Sequence, residues 1–153
     1  LSDLALTLVD GGSGIDLAFT SDGSSLLRDN GLETAVLISL FTDQRVAESE
    51  LPPGHKSKKG WWGDAFLEKP GDKIGSKIWT FARGKLLPET AAAIQVRARQ
   101  ALEWMIEDGV ALTVDVVATL RQEGFIEIVI QIARPDAEDD KFTLFWDGQA
   151  LKR

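Results

Sequence analysis

The residues with the most distinctive chemistry are Gly60-Trp61-Trp62-Gly63-Asp64-Ala65-Phe66, and that chemistry is binding. Two adjacent tryptophans stand between glycines, downstream of Lys56, Lys58 and Lys59. From Gly54 to Lys85, eight Lys or Arg face Asp64, Glu68 and Asp72, a net of +5 in a chain whose total is −7. Three of the five tryptophans, Trp61, Trp62 and Trp79, fall in that segment. Aromatic and cationic side chains are favoured interface anchors, and basic charge steers acidic partners. The expectation is a docking element for an acidic or apolar surface. It is built on Trp61, Trp62, Asp64, Phe66, Lys56, Lys58, Lys59 and Trp79, with Trp104 added from a later helix. The competing expectation is a plug, with Trp61 and Trp62 filling a small core beneath a long loop, since large aromatics are mostly buried. Basic-plus-aromatic composition also describes single-strand nucleic-acid platforms. Here the aromatics are not spread over strands as a stacking sheet, so nucleic acid is not the expected partner.

Catalytic chemistry has little to work with. A nucleophile needs an activating base, and the one histidine, His55, lies in Pro-Pro-Gly-His-Lys without a local partner. The absence of cysteine removes thiol nucleophiles, disulfides and cysteine-ligated metals, and fits a reducing compartment. Gly71-Asp72-Lys73-Ile74-Gly75-Ser76-Lys77 has one residue too few between its glycines for a phosphate loop, and its Ser precedes the Lys. Gly11-Gly12-Ser13-Gly14 reads as a turn, since no helix follows it. The acidic run Asp136-Ala137-Glu138-Asp139-Asp140 lacks the spacing and central glycine of a calcium loop and reads as solvated surface. The 24 acidic residues offer many chance carboxylate pairs for glycoside hydrolysis, and none is singled out. No metal or cofactor is expected.

The elements that must carry these residues follow from periodicity. Residues 4–9 and 15–19 alternate with period two around the Gly-rich turn, an N-terminal β-hairpin. Asn30 to about Thr42 reads as a helix that is apolar nearly all round, with Asn30 and Glu33 at capping-box spacing. Residues 44–86 are irregular, broken by Pro52, Pro53 and a run of glycines, and a segment that long in a compact domain is expected to be functional. Pro88 to Asp108 reads as one helix, opened by Pro88 and stopped by Gly109, with Leu87, Ala91, Ile94, Ala98, Ala101, Leu102 and Met105 as its apolar stripe and Trp104 at the stripe edge. Three strands follow, over 112–120, 126–132 and 141–146, as an antiparallel meander. The fold class is α+β: an N-terminal β-hairpin and two main helices packed on an antiparallel sheet that includes the C-terminal three-stranded meander. The length of 153 residues fits one domain, 1–153, with the basic Trp-rich segment at about 44–86. No apolar run approaches the roughly 20 residues that span a bilayer, and the N-terminus lacks the pattern of a secretion signal. The acidic balance opposes non-specific DNA binding.

Asp29-Asn30-Gly31-Leu32-Glu33-Thr34-Ala35-Val36-Leu37-Ile38-Ser39-Leu40-Phe41-Thr42-Asp43, followed by Gly60-Trp61-Trp62-Gly63-Asp64, resembles the tail-baseplate protein family typified by the forty-sixth gene product of phage Mu. Gly71-Asp72, Ile74-Gly75-Ser76, Trp79, Pro88-Glu89-Thr90, Ala101-Leu102 with Trp104, and Glu107-Asp108-Gly109 extend the likeness over nearly the whole chain. The resemblance implies a non-enzymatic component of a contractile-tail baseplate, similar in role to the gene-twenty-five wedge protein of T-even phages. Its implied partners are other baseplate wedge proteins and the tail sheath, in a hetero-oligomeric assembly located in the virion tail and put together in the host cytoplasm. The Glu-Pro-Arg motif of the wider wedge family does not occur here, so no residue role is carried over from that group. Two other function classes remain in view. One is a hydrolytic, lysozyme-like tail enzyme, opposed by the lack of a histidine or cysteine in any regular element. The other is a small regulatory adaptor that binds a host protein.

Overall fold

The computed structural model describes residues 3–4, 6–8, 15–17, 19–20, 22–26, 28–29, 32–66, 73–82, 84–135, 137–148 and 151–152. Four short strands come first: β1 (Asp3–Leu4), β2 (Leu6–Leu8), β3 (Ile15–Leu17) and β4 (Arg28–Asp29). β2 pairs antiparallel with β3 in the register Leu6 to Leu17 and Leu8 to Ile15. The glycine-rich turn expected between them lies outside the described residues. Leu4 does not continue β2; it belongs to β1, whose antiparallel partner is β4. Phe19 does not extend β3 either, forming an isolated bridge with Leu26 and standing 56% exposed. Between them Asp22 accepts hydrogen bonds from the Thr20 hydroxyl and from the backbone and hydroxyl of Ser24, which hold its carboxyl at about 2.

The helices pack as their apolar residues require. α1 (Glu33–Phe41) buries Thr34, Val36, Leu37, Ser39 and Leu40. It begins later than the capping-box spacing indicates: Leu32 is the N-cap, Glu33 is the first helical residue, and Asn30 lies outside the described residues. α2 (Pro88–Leu102) is followed by a separate single turn, α3 (Trp104–Glu107). The single helix expected over 88–108 is therefore divided. At Glu103 the ladder tightens, with its N–H donating to Gln100 O, three residues back. Leu87 is also not on the buried stripe. It is the extended N-cap residue, 48% exposed, and precedes the turn that faces the core. Gly109, at φ +71, ends the helical run, a conformation that costs a residue with a Cβ roughly 1 kcal/mol or more.

The C-terminal sheet has the order β5-β6-β7-β8, all antiparallel: β5 (Thr113–Leu120), β6 (Ile126–Ala133), β7 (Asp140–Trp146) and β8 (Leu151–Lys152). β8 is a two-residue addition to the expected meander. Period-two alternation puts Ile126, Ile128, Ile130 and Ile132 on one face with no exposure at all, and each such side chain contributes roughly 1.5–3 kcal/mol by leaving water. Ile94, Ala98, Leu102 and Met105 close over them, together with Val36, Leu37 and Leu40 from α1. α2 lies mainly on β5. The small side chains of Ala91 and Ala98 at that contact allow a close approach. This is an α+β fold with the helices covering one face of an antiparallel sheet.

Candidate protein-docking site

The irregular segment is built on a backbone seam. Ser76 N–H donates to Thr42 O and Gln44 N–H donates to Ser76 O, so that Asp43 and Ser76 form a parallel bridge. The Ser76 hydroxyl donates to Leu40 O, the last turn of α1. Gly75 makes this approach possible: its φ is +105, and a Cβ there would lie 2.3 Å from Thr42 O. Further along, Val46 N–H donates to Lys58 O, and Gly60, at φ +110, passes so close to Arg45 that a Cβ would meet its side chain at 2.7 Å. Three single turns of 3-10 helix, Glu48–Glu50, Trp62–Phe66 and Ile78–Phe81, punctuate the path.

The lysines serve this scaffold. Lys59 Nζ lies 2.6 Å from Asp43, Lys58 Nζ 3.3 Å from Glu48, and Lys77 Nζ 2.8 Å from Glu50. Glu50 is the hub: it accepts from Lys77 with both oxygens, reaches back to the Ala47 N–H, and stands 3.5 Å from Arg97 of α2. Those bonds, the one from Lys77 foremost, hold its carboxyl below the usual glutamate range. Asp43, Glu48 and Glu50 just upstream thus pair with three of the lysines counted from Gly54 onward, and residues 43–85 keep a net charge of +3. Lys56 is exposed and, among the described residues, unpaired.

The aromatic residues separate into two groups. Trp79 is turned inward, 7% exposed, with its indole N–H donating to Gln44 O at 2.9 Å; Lys59 Nζ sits 4.7 Å above its ring and His55 packs at 6.3 Å. Trp104 is half-buried and donates to the Ser39 hydroxyl of α1 at 3.1 Å, which ties α3 to α1. Both indole N–H groups are thus engaged within the chain. Trp62 and Phe66, in contrast, are 76% and 77% exposed. Their rings meet edge to face at 6.3 Å, and Trp61 joins Trp62 at 5.4 Å. Trp61 plays both parts. It is 39% exposed, and its ring lies on the backbone of Gly63, where a Cβ would come within 2.1 Å of it. The turn therefore raises an aromatic ridge, Trp61-Trp62-Phe66, over a scaffold locked by ion pairs. Asp64 is set inside the same turn, and both of its carboxylate oxygens are shielded from solvent without a hydrogen-bond partner among the described residues.

Sequence reasoning singled out Trp61, Trp62 and Phe66 and did not anticipate the ion-pair clamp. Asp43 lies 16 residues and Glu48 10 residues before the lysines they hold, a proximity of opposite charge that was the signal available, whereas Glu50 lies 27 residues before Lys77. The seam through Gln44 and Ser76 carried no comparable sign. A shallow polar groove of about 310 Å³ adjoins it, lined in part by Gln44, Ser76, Lys77, Arg97 and Gln100. Among the described residues His55 packs against the Trp79 ring, and Asp140 of the acidic loop pairs with Arg134 at 2.9 Å. Asp136 lies outside the described residues. Among the described residues no group of three His, Asp or Glu side chains converges as a metal site, and no helix is long and apolar enough to cross a membrane.

Comparison with known proteins matches most of the chain. The sequence model of the family described as "Phage protein GP46" matches residues 32–139, which include α1, the clamp, the aromatic ridge, α2 and most of the sheet. The chain is 40% identical over 143 residues to the Mu-like prophage FluMu protein gp46 of Haemophilus influenzae, covering 94% of this chain and 95% of that one. It is 36% identical over 137 residues to the baseplate protein gp46 of Escherichia phage Mu, covering 89% and 90%. With the match extending through most of the fold, the chain belongs to the phage GP46 protein family.

Proposed function

We propose that the chain is a structural component of the tail baseplate of a contractile phage or a prophage-derived particle, that it joins wedge proteins there, and that it helps nucleate the sheath. It acts as part of a hetero-oligomeric assembly in the virion tail, put together in the host cytoplasm, and has no catalytic role. The phage Mu relative, a baseplate protein by name, supports the placement. The observation that carries the docking reading is the Trp62–Phe66 ridge: two large aromatics more than three-quarters exposed on a rigid, ion-paired base. Exposed aromatics on a pre-organised support are the usual anchors of protein interfaces. Lys56, Lys58 and Lys59 precede the ridge in sequence, Asp64 lies within its turn, and Trp79 and Trp104 fasten Gln44 and α1 in the body that carries it.

A second contact surface is the free edge of β5. Arg121 N–H donates to Phe125 O, and this phase turns residues 113, 115, 117 and 119 toward β6. The main-chain groups of Val114, Val116 and Leu120, and the carbonyl of Ala118, then face this edge, where an extended segment of a sheath or wedge subunit can add as a further strand once Gln95 releases the Ala118 N–H.

The test is tail assembly with the double variant Trp62→Ala, Phe66→Ala supplied in place of the natural chain. Both side chains are mostly in water already, so the melting temperature of the isolated chain should change little. The yield of infectious particles should fall on the order of tenfold or more, the effect expected when interface anchors are truncated. Normal assembly with the double variant would remove the ridge from the interface.

A further inference from the structure

We infer that Asp64 is the receptor for a cationic side chain, an arginine presented by the docking partner, which the ridge of Trp61, Trp62 and Phe66 receives by stacking. The inference rests on the docking role proposed above and specifies its chemistry.

The ion pairs Lys58–Glu48, Lys59–Asp43 and Lys77–Glu50 occupy three of the segment's lysines. Within the turn itself, the charged group left without a partner is a carboxylate. Both oxygens of Asp64 are removed from solvent, and no donor reaches either one among the described residues. A carboxylate in that position is costly to keep, because it has lost its hydration without gaining a partner. Among the described residues the Asp64 carboxylate holds no two elements together.

A partner arginine satisfies every open valence of the site. Its guanidinium is planar and weakly hydrated, stacks on the face of an indole, and forks onto a carboxylate with two parallel hydrogen bonds. Trp62, at 76% exposure, offers the stacking face, and Phe66 stands edge-on beside it. Lysine would supply the charge without the flat stacking or the fork. Reaching the carboxylate requires a small displacement in the turn. A 3-10 turn provides that give, because its hydrogen bonds are poorer than those of an α-helix. The chain's total of −7 favours the approach of a cationic surface at longer range.

The test compares two readouts for Asp64→Asn, which keeps the shape and removes the charge. Thermal melting of the isolated chain should be unchanged or raised, because an unpaired shielded charge is gone. Particle yield, with the variant as the sole copy in an infected cell, should drop on the order of tenfold or more through loss of a buried interfacial pair. Normal assembly by Asp64→Asn overturns the inference, and so does a large drop in its melting temperature, which would make the carboxylate a folding element. The Trp62→Ala, Phe66→Ala variant separates the two levels. If it assembles normally, the docking role itself fails. If it fails to assemble while Asp64→Asn succeeds, the ridge docks a partner and the arginine is lost from the account.

Discussion

Glu50 concentrates more of the segment's electrostatics than any other side chain, and its behaviour with pH is predictable in sign. Lys77, the Ala47 N–H and Arg97 all favour its charged form, so its folded-state pKa lies below the ordinary glutamate value of 4.5. A carboxyl depressed by folding contributes stability that is fully present above its unfolded pKa and is lost as pH falls through the folded one. Glu50→Gln should therefore lower stability by about 1 kcal/mol at neutral pH, the scale of a partly exposed ion-pair network. The difference from the natural chain should shrink toward zero as the pH is taken well below 4.5. Chemical denaturation of both proteins across that range checks it; a difference constant with pH would mean that Glu50 acts through shape. Asp64 is the counterpart, a carboxylate in the same segment with no donor among the described residues. The tryptophans were legible as a group in the sequence. Their division was not, because Trp79 and Trp62 differ in what lies above them, and only the Gln44–Ser76 seam decides that.

The sheet and α2 were the most legible elements, for a physical reason: the alternation of Ile126, Ile128, Ile130 and Ile132 admits one register with a buried face. Element ends were less so. The break at Glu103 and the start of α1 at Glu33 depend on where Trp104 and Leu32 come to rest against other elements, which no local pattern encodes. The edge of β5 shows how one element guards another. Gln95 of α2 places its side-chain oxygen 3.0 Å from the Ala118 N–H, one of the donors that face the open edge. An edge strand with unpaired donors is a template for unwanted pairing, and a side-chain cap blunts it. Gln95→Ala should cost about 1 kcal/mol for the lost hydrogen bond. It should also raise the fraction of dimers and larger species in sedimentation at equal concentration. A monomer as persistent as the natural chain would show that the Ala118 donor is not what keeps the edge unpaired.

Across the molecule, two kinds of cohesion meet along α1 and α2. The sheet, the helices and their shared core are held by apolar burial, which salt does not weaken. The segment from Asp43 to Lys77 is held to that body by a short backbone seam, by Trp79, and by ion pairs whose side chains are partly in water: 37% and 85% exposed for Lys58–Glu48, and 39% and 41% for Lys59–Asp43. Screening shortens the reach of such pairs to about 3 Å in 1 M salt, so they should loosen first. Limited trypsin digestion makes this visible, since Lys56, Lys58 and Lys59 are themselves cleavage sites within the segment. At low salt, cuts after these lysines should be slow; at high salt they should become the earliest cuts. Cuts after Arg97 and Arg99 in α2 should stay slow at both, because reaching them requires opening the core. A short peptide spanning the same lysines controls for the effect of salt on the protease. Cleavage in this segment that is equally slow at every salt concentration would mean that the seam and Trp79 hold it unaided, and that the ridge stands on apolar packing with the ion pairs as bystanders.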